Sequence, residues 1–232
     1  MAPKLPLDNA QTAGQFIQAT HGDADAKQYG DSYHLAFADH AFLSRPEVRG
    51  IRFELELLKP DLALRERSID HTIVVFGSAR FISKAAAEQL VAQASVDNAR
   101  LRANTALENS AHYESAREFG RLVASYNKAQ SEAHHRLHIC TGGGPGVMEA
   151  ANRGAFESGD LTIGLNISLP REQNPNPYIT PGLAFRFHYF ALRKMHFVMR
   201  ARAIVVYPGG FGSFDELFEV LTLIQTKKIE QI

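Results

Sequence analysis

The sequence predicts an α/β fold: a doubly wound parallel sheet preceded by an N-terminal, mainly helical arm. Three observations predict it. From residue 71 onward, short apolar runs (HTIVVFGS, RLHICT, LTIGLNISL, AIVVY) alternate with helical stretches, the pattern of a parallel sheet. Runs such as IVVF and AIVVY are continuously apolar, as expected of strands covered on both faces. Glycine punctuates the strand ends in FGSAR (76–80), TGGGPGVME (141–149) and PGGFGSFDE (208–216).

Residues 1–70 form the arm and residues 71–232 the sheet domain. The arm carries no strand signal, and RPEVRGIRFELELLKPDLALRERSI reads as one or two short helices broken near Pro60. HTIVVFGS is the first strand, and helices follow over roughly 82–95 and 98–133. RLHICT is a strand, VMEAANRGAFES a helix and LTIGLNISL a strand; PREQNPNPYITPG is a polar, proline-rich loop. LAFRFHYF reads as a strand, ALRKMHFVMRA as a helix, AIVVY as a strand, and a last helix begins at about 214.

A length of 232 residues suits one domain with an appendage. The 25 basic and 25 acidic residues cancel, which argues against a broad nucleic-acid or membrane surface. A small anion held by a few fixed dipoles stays compatible with neutrality. A single cysteine, Cys140, rules out an internal disulfide, and no signal-peptide pattern or span-length apolar run occurs. The expectation is a cytoplasmic protein.

In a parallel sheet every strand-to-helix turn lies at the C-terminal edge, where ligands sit. Glycine lets the backbone take positive φ and lets a ligand approach, while the next helix offers unpaired N–H groups and a positive dipole end. Gly77, Ser78, Gly143, Gly144, Gly146, Gly209, Gly210, Gly212 and Ser213 are therefore candidate phosphate-binding residues. Any one such turn is more often just a tight connection; three on one edge, two of them dense in glycine, turn the balance to the anion site. Neither dense turn is followed by Gly-Lys-Ser/Thr, and GGGPG breaks the G-x-G-x-x-G spacing, so neither a P-loop nor a dinucleotide site is selected.

At about 100° per residue, Glu216 falls at the margin of the apolar arc formed by Phe214, Leu217, Phe218, Val220, Leu221, Leu223 and Ile224. Two readings fit. Ser213-Phe214-Asp215-Glu216 is a capping box in which Glu216 bonds back to the Ser213 amide, or the carboxylate is kept there for chemistry. Arg193 and Lys194, ahead of Arg200 and Arg202, are either a solvated basic face or a clamp for a phosphate or carboxylate. His188 reads as structural, Phe187 and Phe190 as core, and no metal site is indicated.

The stretches TGGGPGVMEAANRGA, LNISLPREQNPNPY and FHYFALRKMHFVMRARAIVVYPGGFGSFDELFEVLTLIQT resemble the LOG (Lonely Guy) family, whose members often carry the label possible lysine decarboxylase. The likeness covers about residues 71–228 and is closest to the longer bacterial type. The family pattern P-G-G-x-G-T-x-x-E matches Pro208, Gly209, Gly210, Gly212, Ser213 and Glu216, and the preceding Arg-Lys pair matches Arg193 and Lys194. The resemblance implies a Rossmann-like fold, usually a homodimer or higher homo-oligomer, and no cofactor. It implies hydrolysis of the N-glycosidic bond of a nucleoside 5′-monophosphate, AMP or a cytokinin riboside monophosphate, to free base and ribose 5-phosphate. Arg193 and Glu216 would carry catalysis, with Lys194 and the glycine turns binding substrate. No pyridoxal-binding lysine is indicated, which argues against a decarboxylase.

Ser213 stands where the family has threonine, keeping the hydroxyl. The chain stops at KKIEQI where such proteins usually continue, so an incomplete sheet edge with exposed apolar surface is expected. Two other classes fit the same residues: a non-catalytic binder of a nucleotide or phosphorylated cofactor, and an oligomeric scaffold whose interface is the helix LFEVLTLI.

Overall fold

A computed structural model of the chain describes residues 30–169 and 174–229. The first part of the expected arm, residues 1–29, and part of the proline-rich loop, residues 170–173, lie outside the described residues. So do residues 230–232 at the C-terminus. The chain divides into two compact units, with the boundary between Leu55 and Glu56.

The described part of the first unit holds a single-turn helix α1 (His40–Leu43), capped by the Asp39 carboxylate, which accepts from the Phe42 amide. Helix α2 (Arg49–Glu66) is one continuous helix with Pro60 inside it, not two short helices broken there. Proline removes one bond to the carbonyl four residues earlier, that of Glu56. The buried His196 ring lies against the backbone of Glu56 and Leu57, and burial lowers its pKa.

The described residues of the second unit carry five parallel strands: β1 (His71–Phe76), β2 (Leu137–Thr141), β3 (Thr162–Ile167), β4 (Ala184–Phe187) and β5 (Ala201–Val206). Their order is β4-β3-β2-β1-β5. The helices are α3 (Lys84–Gln93), α4 (Asp97–Ala129), α5 (Val147–Glu157), α6 (Phe190–Met199) and α7 (Phe211–Gln225). The alternation of side chains along β1 explains the double layer. Val74 and Phe76 join Leu64, Leu192 and Phe197 on one face of the sheet. Ile73 and Val75 join Tyr113, Ala116, Val147 and Ala151 on the other. Leu64 and Ile69 pack into the first face, tying the end of α2 to the sheet. The fold is α/β and Rossmann-like, as the sequence predicted.

Continuous apolarity did not mean the same thing in each strand. β1 is buried along nearly all its length, but β5 is only half-buried, because the strand order puts it at the sheet edge. The stripe Phe211, Phe214, Phe218 and Leu221 on α7 is likewise exposed. The chain runs outward from β1 through β2, β3 and β4, then returns by α6 to lay β5 on the other side of β1. The strand order therefore reverses between β1 and β5, and a crevice opens at their C-terminal ends.

Candidate functional site

The two turns flanking this crevice are tied side by side. The Tyr207 amide donates to Phe76 O (2.9 Å) and the Ser78 amide to Pro208 O (3.0 Å). A cleft of about 990 Å3 opens above them. Its floor includes Gly77, Ser78 and the run Pro208 to Ser213; its inner end holds Arg193 and Glu216.

Helix α7 begins at Phe211 with Gly210 as N-cap, three residues earlier than the sequence reading. That shift removes the capping box. Ser213 lies in the first turn, its amide donates to Gly210 O (3.0 Å), and among the described residues no side chain caps the helix. The amides of Gly209, Gly210, Phe211 and Gly212 donate to nothing among the described residues. A helix N-terminus with open amides and a positive dipole end is an anion site. The glycines here are not needed for positive φ. A side chain at Gly209 would collide with Ser213 Oγ, whereas Gly210 and Gly212 face open space within the cleft.

The GGGPG turn is used differently. Gly142 lines the cleft, whereas Gly143, Gly144 and Gly146 are not among its lining residues. Gly143 (φ +72°) is filled around by the Asn166 side chain, and its carbonyl accepts from the Asn176 amide (2.9 Å). Gly144 O accepts from Asn176 Nδ2 (3.2 Å). Gly146 (φ +75°) lets α5 start against the first turn, where the Val147 amide donates to Ser78 O (3.0 Å). These three glycines brace the turns against each other.

Arg193 and Glu216 lie side by side in the cleft. The Arg193 side chain is partly buried, 14% exposed, and its Nε donates to Leu165 O (2.6 Å). Its guanidinium lies 5.0 Å from the centre of the Phe197 ring. Nη1 is 3.8 Å from Glu216 Oε1, an ion pair without a hydrogen bond. Glu216 is 8% exposed, and burial raises its pKa against the opposing pull of Arg193 and then Lys194. Burial likewise lowers the Arg193 pKa while Glu216 raises it. Both shifts have one cause: two opposite charges held together in a poorly solvated place.

Lys194 does not line the cleft. Its ammonium bridges Asp215 (2.8 Å) and Glu219 (2.7 Å) on α7. The other basic residues of the cluster are engaged elsewhere: Arg200 pairs with Asp61, and Arg202 donates to the His71 ring. Phe187 is core, but Phe190, at the start of α6, is half-exposed and lines the cleft. The Cys140 thiol is fully buried and pushed up to about 12, which removes it as a nucleophile. Among the described residues, one cluster could bring three metal-type ligands together: Glu132, His134 and His135, exposed ahead of β2 and so at the opposite sheet edge. No helix of the described residues is long and apolar enough to cross a membrane.

Sequence reasoning missed two parts of the site. Gly142 leaves room for the Arg193 guanidinium: a Cβ there would lie 2.6 Å from Nη2. The second is the wall of the cleft made by Arg102, Thr105, Ala106 and Asn109 of α4. At 100° per residue these share an arc of about 100° with Tyr113, Ala116 and Gly120. The same helix face that packs with small and apolar residues farther along is polar where it meets the cleft. Polar residues on an otherwise packed stripe were the available signal.

The family described as Possible lysine decarboxylase matches residues 148–231. The match starts within α5, so it takes in Arg193, Lys194 and Glu216 but neither β1 nor the GGGPG turn. The chain is 30% identical over 96 residues to the Pyrimidine/purine nucleotide 5′-monophosphate nucleosidase of Escherichia coli K12, and equally to that of strain O157:H7. That alignment covers 38% of this chain and 21% of the relative, so the match spans about a fifth of the curated protein's length. The X-ray structure of TM1055, a structural-genomics target, aligns with a TM-score of 0.43 at 22% identity, over 66% of this chain and 69% of that one.

Proposed function

We propose, from the premise that residues 148–231 carry this chain into the LOG family, that the protein hydrolyses the N-glycosidic bond of nucleoside 5′-monophosphates. The observation that carries the reading is one cleft at the sheet's switch point. It joins the uncapped N-terminus of α7 to a partly buried arginine beside a buried glutamate. The first suits a phosphate and the second suits a developing positive charge on a ribose. The nucleosidase relatives support the same class.

In this mechanism the phosphate binds the free amides of Gly209, Gly210, Phe211 and Gly212. The ribose then lies toward Glu216. As the C1′–N bond breaks, its electron pair leaves with the base and positive charge builds on the sugar. Glu216, as a carboxylate, stabilises that charge and accepts a proton from the attacking water. The water oxygen bonds to C1′, and a proton reaches the departing nitrogen. Water and nucleotide give free base and ribose 5-phosphate. Arg193 opposes the burial penalty on Glu216 and so favours its carboxylate form. AMP is the substrate with which to start, with cytokinin riboside monophosphates as the finer possibility within the class. A homo-oligomer fits the exposed stripe of α7.

The test is release of free base, followed by chromatography, from AMP, GMP, CMP, UMP and isopentenyladenosine monophosphate, with adenosine as control. Release from a monophosphate and not from adenosine is the expected result. A folded protein that binds AMP and releases no base would replace the hydrolase with the non-catalytic nucleotide binder.

A further inference from the structure

We propose that α4 supplies an anion clamp to this cleft. Arg102, assisted by Arg80, grips the substrate's phosphate from the wall opposite the N-terminus of α7. The inference rests on the nucleotide reading above and adds to it a residue on an element outside the matched family segment.

Dimensions place α4 there. Its 33 residues make a rod about 50 Å long, whereas the six residues of β1 span about 20 Å. The C-terminal part of α4 packs on α5 through Tyr113, Ala116 and Gly120, whose missing side chain lets Ala151 and Ala155 approach. The helix then leads into β2, so its C-terminal end lies at the N-terminal edge of the sheet. Its first turns therefore stand beyond the opposite edge, beside the glycine turns, and Arg102, Thr105 and Asn109 line the cleft there.

Charge accounting then singles out Arg102. α4 carries four arginines. Arg100 donates to Ala94 O, Arg117 pairs with Glu157, and Arg121 pairs with Glu118. The Arg102 side chain has no hydrogen bond or ion pair among the described residues, and neither does the Arg80 side chain in the turn after β1. The acids of the cleft already have cations: Asp215 has Lys194, and Glu216 has Arg193. Two uncompensated guanidinium groups thus face the same space as four free amides. A guanidinium fork matches phosphate oxygens two at a time, and a dipole end on the opposite wall completes the enclosure. A solvated arginine on a helix surface would do nothing here. Arg102, however, lies on the helix face that packs farther along through Tyr113 and Ala116, and there it lines the cleft.

The experiment measures binding of ribose 5-phosphate, inorganic phosphate and adenosine by calorimetry to the wild-type chain, Arg102→Ala, Arg102→Lys and Arg80→Ala. The KM and kcat for AMP are measured alongside. Arg102 is exposed, so its variants should fold like wild type. Expected is a roughly 10- to 100-fold loss of ribose 5-phosphate affinity in Arg102→Ala, partly restored by lysine, with a smaller loss in Arg80→Ala. Adenosine binding should not change, and KM should rise with kcat nearly constant. Undiminished ribose 5-phosphate affinity in Arg102→Ala, or a wild-type chain that binds neither phosphate ligand, overturns the clamp. Phosphate affinity lost in Arg102→Ala, in a protein that never releases base, keeps the clamp and sinks the hydrolase. Normal turnover with unaltered affinity does the reverse.

Discussion

Gly142→Ala is the sharpest test of how the cleft is built. The added methyl carbon would lie 2.6 Å from Arg193 Nη2 and 3.0 Å from Met148 Sδ, where ordinary contact begins at 3.4 Å. Met148 has soft torsions and can turn away. Arg193 is less free, because its Nε is anchored on Leu165 O at 2.6 Å and its guanidinium faces the Phe197 ring. Relief therefore displaces the guanidinium by about 0.8 Å, the shortfall from ordinary contact, and alters its 3.8 Å separation from Glu216. A misplacement of this order in a reacting constellation costs up to about 100-fold in rate. The fold should survive, since Gly142 is not a positive-φ position. The assay is kcat/KM for base release from AMP, with thermal unfolding as the control. A variant of wild-type Tm with kcat/KM within about twofold of wild type would show that Arg193 placement does not govern catalysis, and would refute the reasoning.

Glu216→Gln should abolish base release while leaving AMP binding intact; normal release would remove Glu216 from the mechanism. Burial raises the Glu216 pKa above the ordinary 4.5, so the folded state holds this proton more tightly than the unfolded chain. The charged carboxylate consequently costs stability once pH exceeds 4.5, an effect complete above the raised folded pKa. Glu216→Gln should therefore raise Tm near neutral pH and lose that advantage below the ordinary carboxylate value, which paired melts at two pH values would show. The kcat/KM profile should fall on its acid side at an apparent pKa above 4.5. Lys194 helps to lower the Glu216 pKa and does not line the cleft, so Lys194→Ala should move that acid limb upward with little change in KM. A large KM rise at an unmoved limb would instead make Lys194 a substrate ligand. Gly143→Ala should unfold more readily by upwards of about 1 kcal/mol, because φ is +72° and Asn166 fills the space. Gly212→Ala should keep the wild-type Tm yet raise KM, its methyl entering open cleft; denaturation curves and kinetics separate the two.

The resemblance in the sequence reached a long way into the site. PGGFGSFDE carried both the turn proposed for phosphate and the buried acid, and the Arg-Lys pair carried the cation that meets that acid. What the pattern left open was how each glycine is used. Gly143 and Gly146 are forced by φ and close packing, whereas Gly210 and Gly212 leave space, a difference that depends on neighbours remote in sequence. The start of α7 was misplaced because a serine followed three residues later by glutamate looks like a cap at any helix beginning.

By itself the sequence determined the alternation of strands and helices, since buried parallel strands require continuous apolar runs and glycine exits that are visible locally. It also determined which chemical groups the last two helices could offer. Only the tertiary structure decided the strand order, and with it the switch point between β1 and β5 that brings residues 77 and 209 side by side. Only it decided that Lys194 turns to α7 while Arg193 turns inward, and that Arg102 overhangs the cleft. Those outcomes come from packing and charge compensation between segments far apart in the chain, for which local pattern holds no record.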